Sequence, residues 1–181
     1  MRLAFYKAAA GNAWDKAIGV RTGSPYSHVE WVFDTRPGAA LWSGAQQPSA
    51  ADAKSPGLAL CFSSSPRDGG VRFKYIDVQS GNWNLVEVPK VPLSNIVYSS
   101  GDAILAPPRG IVAYNHALQW RGMPYDWVSI MVGFSIWPGA HDPNRLFCSE
   151  ACVKLGQTVG LWSTVCPWRT APGALFELVS K

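Results

Sequence analysis

Charge is scarce in this sequence. Only 15% of its 181 residues are Asp, Glu, Lys or Arg, and the 16 Lys and Arg are scattered without a basic run. That dispersal argues against a nucleic-acid partner, whose footprint is a clustered basic patch or stripe. The net charge of +4 still permits attraction to anionic surfaces such as cell-wall polymer or phospholipid. No window approaches the ~18 uninterrupted apolar residues of a membrane helix, so no integral span is expected. Met1-Arg2-Leu3-Ala4-Phe5-Tyr6-Lys7 has no long apolar segment behind its charge, so no signal peptide is expected either. The four cysteines, Cys61, Cys148, Cys152 and Cys166, are too few and too unevenly spaced for a disulfide framework in a chain of this length. Cytoplasmic synthesis with reduced thiols is the default expectation; export or association with a phage particle would leave no mark. Nothing in the composition sets an oligomeric state.

What the chain has in quantity is apolar surface. Hydrophobic residues make up 48%, nine of them Trp, which suits one globular domain over 1–181 with a substantial core. No internal repeat and no linker divides it. Leu3-Ala4-Phe5-Tyr6 reads as a short strand, and Asn12 to Ile18 as a short helix. The clearest strand is Ser27 to Phe33, where alternation puts Val29, Trp31 and Phe33 on one face and His28, Glu30 and Val32 on the other. Further strands are expected at Ala40–Gly44, Leu58–Phe62, Val71–Ile76 and Trp83–Val88, with a surface loop over 44–57 and a polar turn at Ser63–Gly70. Arg72 and Lys74 are expected to face water.

The second half changes character. Ile111 to Trp120 reads as a helix with Ile111, Tyr114, Ala117 and Leu118 inward, ended at Gly122. Trp127 to Trp137 is an apolar segment, helix or buried connection, and Pro138 to Asn144 is a loop. Residues 157–173 read as loop, and Ala174 to Val179 as a closing strand. Strands first and helices last predict an α+β fold with an antiparallel sheet.

One short helix stands out: Leu146-Phe147-Cys148-Ser149-Glu150-Ala151-Cys152-Val153-Lys154-Leu155-Gly156. Cys148, Ala151, Cys152 and Leu155 share one side, Glu150 and Lys154 pair four apart on another, and Gly156 is placed for a C-terminal cap. Cys148 lies in the first turn, where unpaired N–H groups and the helix dipole favour a thiolate. Such a nucleophile needs a base, and His28 on its strand offers one. Glu30, two residues on along the same face and roughly 7 Å away at Cα, is close enough to orient the imidazole and raise its pKa.

Three segments carry a family resemblance. Ser27-His28-Val29-Glu30 is similar to a Ser-His-x-x strand motif. Gly122-Met123-Pro124-Tyr125-Asp126 is similar to a Gly-x-x-Tyr-Asp turn ahead of the cysteine. Phe147-Cys148-Ser149-Glu150 is similar to an aromatic-Cys-Ser-Glu helix start. In this order, histidine first and cysteine last, the chain resembles the permuted branch of the NlpC/P60 papain-like superfamily, the group with YiiX-like and LRAT-like proteins. The resemblance implies a circularly permuted papain-like α+β fold, with the cysteine helix packed on an antiparallel sheet. It implies a Cys148–His28–Glu30 triad acting on an amide or ester carbonyl through a thioester, with peptidoglycan peptides as the substrate class and no cofactor. The Cys148 backbone N–H would contribute to the oxyanion site, and Tyr26 or Tyr125 would supply a side-chain contact to substrate. The Asn-Cys-Glu-His signature of LRAT-like acyltransferases is absent.

Other readings stand beside this one. Lipid-directed thioesterase or acyl-transfer chemistry on the same site is suggested by the apolar 127–137 segment, and the fold can also serve as a binding module with an idle site. An inert buried Cys148 is the plain alternative. A metal site from Cys148, Cys152 and His28 is disfavoured, because a CxxxC pair on one helix lacks the close CxxC knuckle; no metal site is assigned. Cys152 is expected to pack, and His116 and His141 are expected at the surface, either being a substitute base if His28 is not the partner.

Overall fold

A computed structural model of the chain describes residues 1–33, 55–88, 109–130 and 141–181. The strand expected at Ala40–Gly44, most of the 44–57 loop and residues 131–137 of the apolar segment lie outside these. In chain order the elements are β1 (Arg2–Lys7), α1 (Ala13–Thr22), β2 (Tyr26–Phe33), β3 (Leu58–Ser65), β4 (Gly70–Asp77), β5 (Trp83–Glu87), α2 (Arg109–Gln119), α3 (Cys148–Thr158) and α4 (Pro172–Val179). The five strands form one antiparallel sheet in the order β4-β3-β2-β1-β5. The fold is α+β.

Alternation decides which face is the core. Leu3 and Phe5 of β1, Val29, Trp31 and Phe33 of β2, Phe62 of β3 and Phe73 of β4 gather on one face with the buried sides of α2, α3 and α4. Each such side chain taken out of water is worth about 1.5–3 kcal/mol. The opposite face carries a smaller apolar cluster, Ala4, Val32, Ala59, Cys61 and Val78. With both faces covered, β2 is buried almost throughout.

The sheet is not closed along its length. The β2–β3 register is confined to Trp31–Phe33 against Leu60–Phe62. Beyond it side chains take over: Ser63 Oγ donates to the Val29 carbonyl (2.7 Å), Cys152 Sγ to the same carbonyl (3.8 Å), and Ser64 Oγ to the Leu146 carbonyl (2.6 Å). The start of α3 is thereby brought against the parted ends of both strands. The turn at 122–126 is tied in from the side. Val71 N–H donates to the Met123 carbonyl, Leu146 N–H to Pro124 and Asp126 N–H to Leu146. Gly70 permits this close approach: its φ is +150°, and a Cβ there would sit 2.0 Å from the Met123 oxygen.

Several expectations need correction. Residues 172–179 are helical, with Pro172 at the first position and Leu175 and Val179, four apart, buried against the core. A six-residue apolar run does not distinguish that arrangement from a strand. β3 continues through Ser65, because Ser63 and Ser64 have buried partners for their hydroxyls, and the turn is confined to a 3-10 segment at Pro66–Asp68. Gly156 is no cap: α3 runs on to Thr158, and Gly156 is the place where the Trp162 ring lies against the helix. The predicted inward side of α3 is as read, with Cys148, Ala151, Cys152 and Leu155 all fully buried.

Candidate active site

Two elements converge on one imidazole. β2 carries His28, and the same strand carries Glu30 two residues on, on the same face. His28 Nε2 is 2.6 Å from Glu30 Oε1. With Nε2 taken by the carboxylate, Nδ1 is the ring nitrogen that Glu30 leaves unengaged. The sulfur of Cys148, first residue of α3, lies near enough to the same ring to help raise its pKa. The parting of β2 from β3 makes this possible, since it lets the helix start come to a ring on the strand.

Glu30 has no exposed surface and is held by more than the histidine. Arg72 on β4 grips it with both prongs, Nη1 to Oε2 at 2.7 Å and Nη2 to Oε1 at 2.6 Å. Arg72 is in turn fixed by Asp68, which accepts from its Nε at 2.8 Å, and Lys74 reaches the other Asp68 oxygen at 3.1 Å. The expectation that Arg72 faces water is therefore wrong. Its side chain is only 15% exposed, because the β3–β4 register sets Arg72 opposite Ser63, and Ser63 lies beside β2.

The electrostatics follow from this chain of charges. Burial alone would lower the His28 pKa, but the Glu30 carboxylate and the Cys148 sulfur outweigh it and raise it to about 9. Burial alone would raise Glu30; Arg72 and then His28 reverse that and bring it down to about 2. At neutral pH the centre is thus an imidazolium facing a carboxylate. Cys152, one turn along α3, is different: burial pushes its thiol well up, so it stays protonated and donates to Val29. It packs, as expected.

The surroundings form a polar cleft of about 350 Å³ beside the ring, lined among others by Asp15, Ser27, His28, Arg67, Trp83 and Tyr125. Asp15 is a further residue of this cleft, beyond those the sequence motifs point to. Together with Asn12 it forms a capping box at the start of α1, accepts from Ser27 Oγ at 3.0 Å, and is ion-paired with Arg67. The Asn12-x-x-Asp15 spacing is the signal that identifies it. Cys148 itself has no exposed surface and does not line the cleft, whose wall includes its partner ring, His28.

The two tyrosines part company. Tyr125 lines the cleft near Cys148, and burial, with Cys148 and Asp126 adding to it, keeps its phenol protonated. Tyr26 packs between Phe5 and Phe176, shares a hydrogen bond with Asn84, and does not line this cleft. Asp126 caps the turn that follows it, accepting from Ser129 N–H at 3.0 Å and Ser129 Oγ at 2.5 Å. His116 is half-buried on α2. His141, expected at the surface, is largely covered: it stacks on Trp168 with ring centroids 4.9 Å apart and turns Nδ1 toward Glu150 at 3.7 Å. Glu150 does pair with Lys154, at 3.0 Å, but from a fully buried position. Burial raises its pKa to about 7 although Lys154 opposes the shift.

Among the described residues no helix is long and apolar enough to cross a membrane. Compared with protein family models, with curated proteins and with solved structures, the chain gives no match.

Proposed function

We propose that this protein is a thiol hydrolase with a permuted NlpC/P60-like arrangement, cleaving an amide bond through a thioester, with peptidoglycan peptides as the substrate class. The observation that carries the reading is the placing of one imidazole between a helix-start thiol and an ionised, doubly held carboxylate. Cys148 is the nucleophile. The sulfur, its proton already held by His28 in a thiolate–imidazolium pair, attacks the carbonyl carbon, forming the C–S bond of a tetrahedral adduct while the carbonyl π bond opens to the oxyanion. The Cys148 backbone N–H, in the first turn of α3 and therefore without a helical acceptor, is placed to take the oxyanion. Collapse expels the amine, which leaves with the proton from His28. Water, deprotonated by the same ring, then attacks the thioester, the C–S bond breaks to release the acid, and the thiolate–imidazolium pair is restored. Glu30 keeps the ring oriented throughout and stabilises its charged form.

The test is turnover of defined cell-wall peptide fragments by the full chain, followed by release of new amine. Cys148→Ala and His28→Ala should each abolish it; undiminished turnover in either removes the assignment. A second reading, acyl-ester chemistry on the same thiol, has its own observation. An apolar groove of about 570 Å³ between α1 and Trp127–Ile130 adjoins the cleft at Ile18. Release of fatty acid without release of amine favours that reading. A binding module with an idle site predicts neither product.

A further inference from the structure

Beyond the cleft lies a second cluster that the proposed chemistry does not use. Asp126 follows the Tyr125 turn, His141 precedes α3, and Glu150 sits in the first turn of α3. One ligand-capable atom from each lies within 4.8 Å of the other two. We propose that Asp126, His141 and Glu150 form a binding site for a divalent first-row metal ion, zinc being the ion their donor set fits.

The observation that points to a ligand is the state of Glu150. Its side chain is completely buried, and its near donors among the described residues are the Lys154 ammonium and the Phe147 backbone N–H, neither of which meets strict hydrogen-bond geometry with it; Nδ1 of His141 has no hydrogen-bond partner among them either. The Lys154 ammonium stands 3.0 Å from Oε1 as an ion pair, which leaves Oε2 the less satisfied of the two oxygens. A buried carboxylate left in that condition is costly, and an ion is one of the few things that repays it. Two carboxyl groups and an imidazole nitrogen converge there, with one ammonium beside them. One nitrogen and two oxygens suit zinc, which takes imidazole and carboxylate at about 2.0–2.2 Å. Magnesium and calcium ask for six or more oxygens and have no preference for imidazole.

The supports around the three ligands are those a metal site has. Both Asp126 oxygens are fixed by Ser129, and the His141 ring is stacked flat on Trp168, which sets its orientation. The 4.8 Å spread is wider than the ~3.5 Å between ligands around a tetrahedral ion of such bond lengths, so the group must draw in by about 1 Å on binding. Lys154 then gives up its hold on Glu150. The ion would clasp the Tyr125 turn, the approach to α3 and the helix itself, just outside the thiol site. None of this depends on the thiol being catalytic.

The experiment is titration of the full chain with Co²⁺, followed visibly, and competition by Zn²⁺ followed calorimetrically. The expected result is one equivalent bound, with ligand-field bands of a four- or five-coordinate ion and no thiolate-to-cobalt charge-transfer band. Cys148→Ser should leave it unchanged; His141→Gln or Glu150→Gln should weaken it at least tenfold. Lys154→Met guards against variants that fail to fold, and should bind more tightly because the competing ammonium is gone. No saturable binding overturns the proposal. So does a charge-transfer band lost in Cys148→Ser, or an affinity that Lys154→Met leaves unchanged or lowers.

Discussion

Arg72 and Glu30 meet as a two-pronged ion pair, 2.7 and 2.6 Å, between strands that are not neighbours in the sheet. This pair, more than the histidine, fixes where the carboxylate points. Arg72→Lys keeps the charge and loses the fork, and a ring misplaced by such a change costs about 10²-fold in rate. The expected signature is a fall in kcat at nearly unchanged KM, with the alkaline limb of the pH–rate profile moved down. Arg72→Gln, which leaves the buried carboxylate unpaired, should also cost about 3–5 kcal/mol of stability in urea unfolding.

The His28 charge should be visible in stability against pH. Its folded pKa, about 9, lies above the ordinary 6.5, so the folded state holds a proton that the unfolded chain releases. The contribution is complete below pH 6.5 and disappears as pH rises through 9, amounting to about 3 kcal/mol at most. Glu30 works in the other direction: with its pKa lowered from 4.5 to about 2, its contribution is complete above 4.5 and is lost as pH falls through 2. Thermal unfolding between pH 6 and 10 should show Tm falling in the wild type, with a shallower fall in His28→Gln.

The covered sulfur makes a prediction about access. Cys148, Cys152 and Cys61 have no exposed surface, whereas Cys166 is partly open. A bulky maleimide should label one thiol rapidly, and peptide mapping should place it at Cys166. A reagent as small as methyl methanethiosulfonate should next reach Cys148 through the cleft, and Cys61 and Cys152 only on unfolding.

Gly156→Ala tests the packing that corrected the cap. On an open helix the change gains about 1 kcal/mol. Here the new Cβ would lie 2.4 Å from two carbons of the Trp162 ring, and overpacking of that kind costs about 1–3 kcal/mol. The net effect should be destabilising. Chemical unfolding with Trp fluorescence as the readout decides the sign.

These relationships also show what could be seen beforehand. The alternation of Val29, Trp31 and Phe33 and the helical spacing of Cys148, Ala151, Cys152 and Leu155 each encode a buried face within one element, so both were legible. The closeness of His28 and Glu30 was legible for the same reason: neighbours on one strand face are a local property. Arg72 was not, because its alternating strand says only that it lies on the face away from Phe73. Which carboxylate waits there depends on sheet order and register, set by pairings across forty residues. The short apolar run of α4 fits a strand as well as a helix, and Pro172 at its start is the discriminating signal. The Pro/Gly-rich setting of His141 points to the surface, while the Trp168 that covers it follows α3 in the chain.

The direct measurement is the pH titration of the His28 ring by NMR, in the wild type and in Cys148→Ala and Glu30→Gln. The arrangement predicts a ring that titrates near 9 and moves down when either partner is removed. A ring titrating at or below 6.5, and indifferent to Cys148→Ala, would show that the thiol and imidazole do not act together.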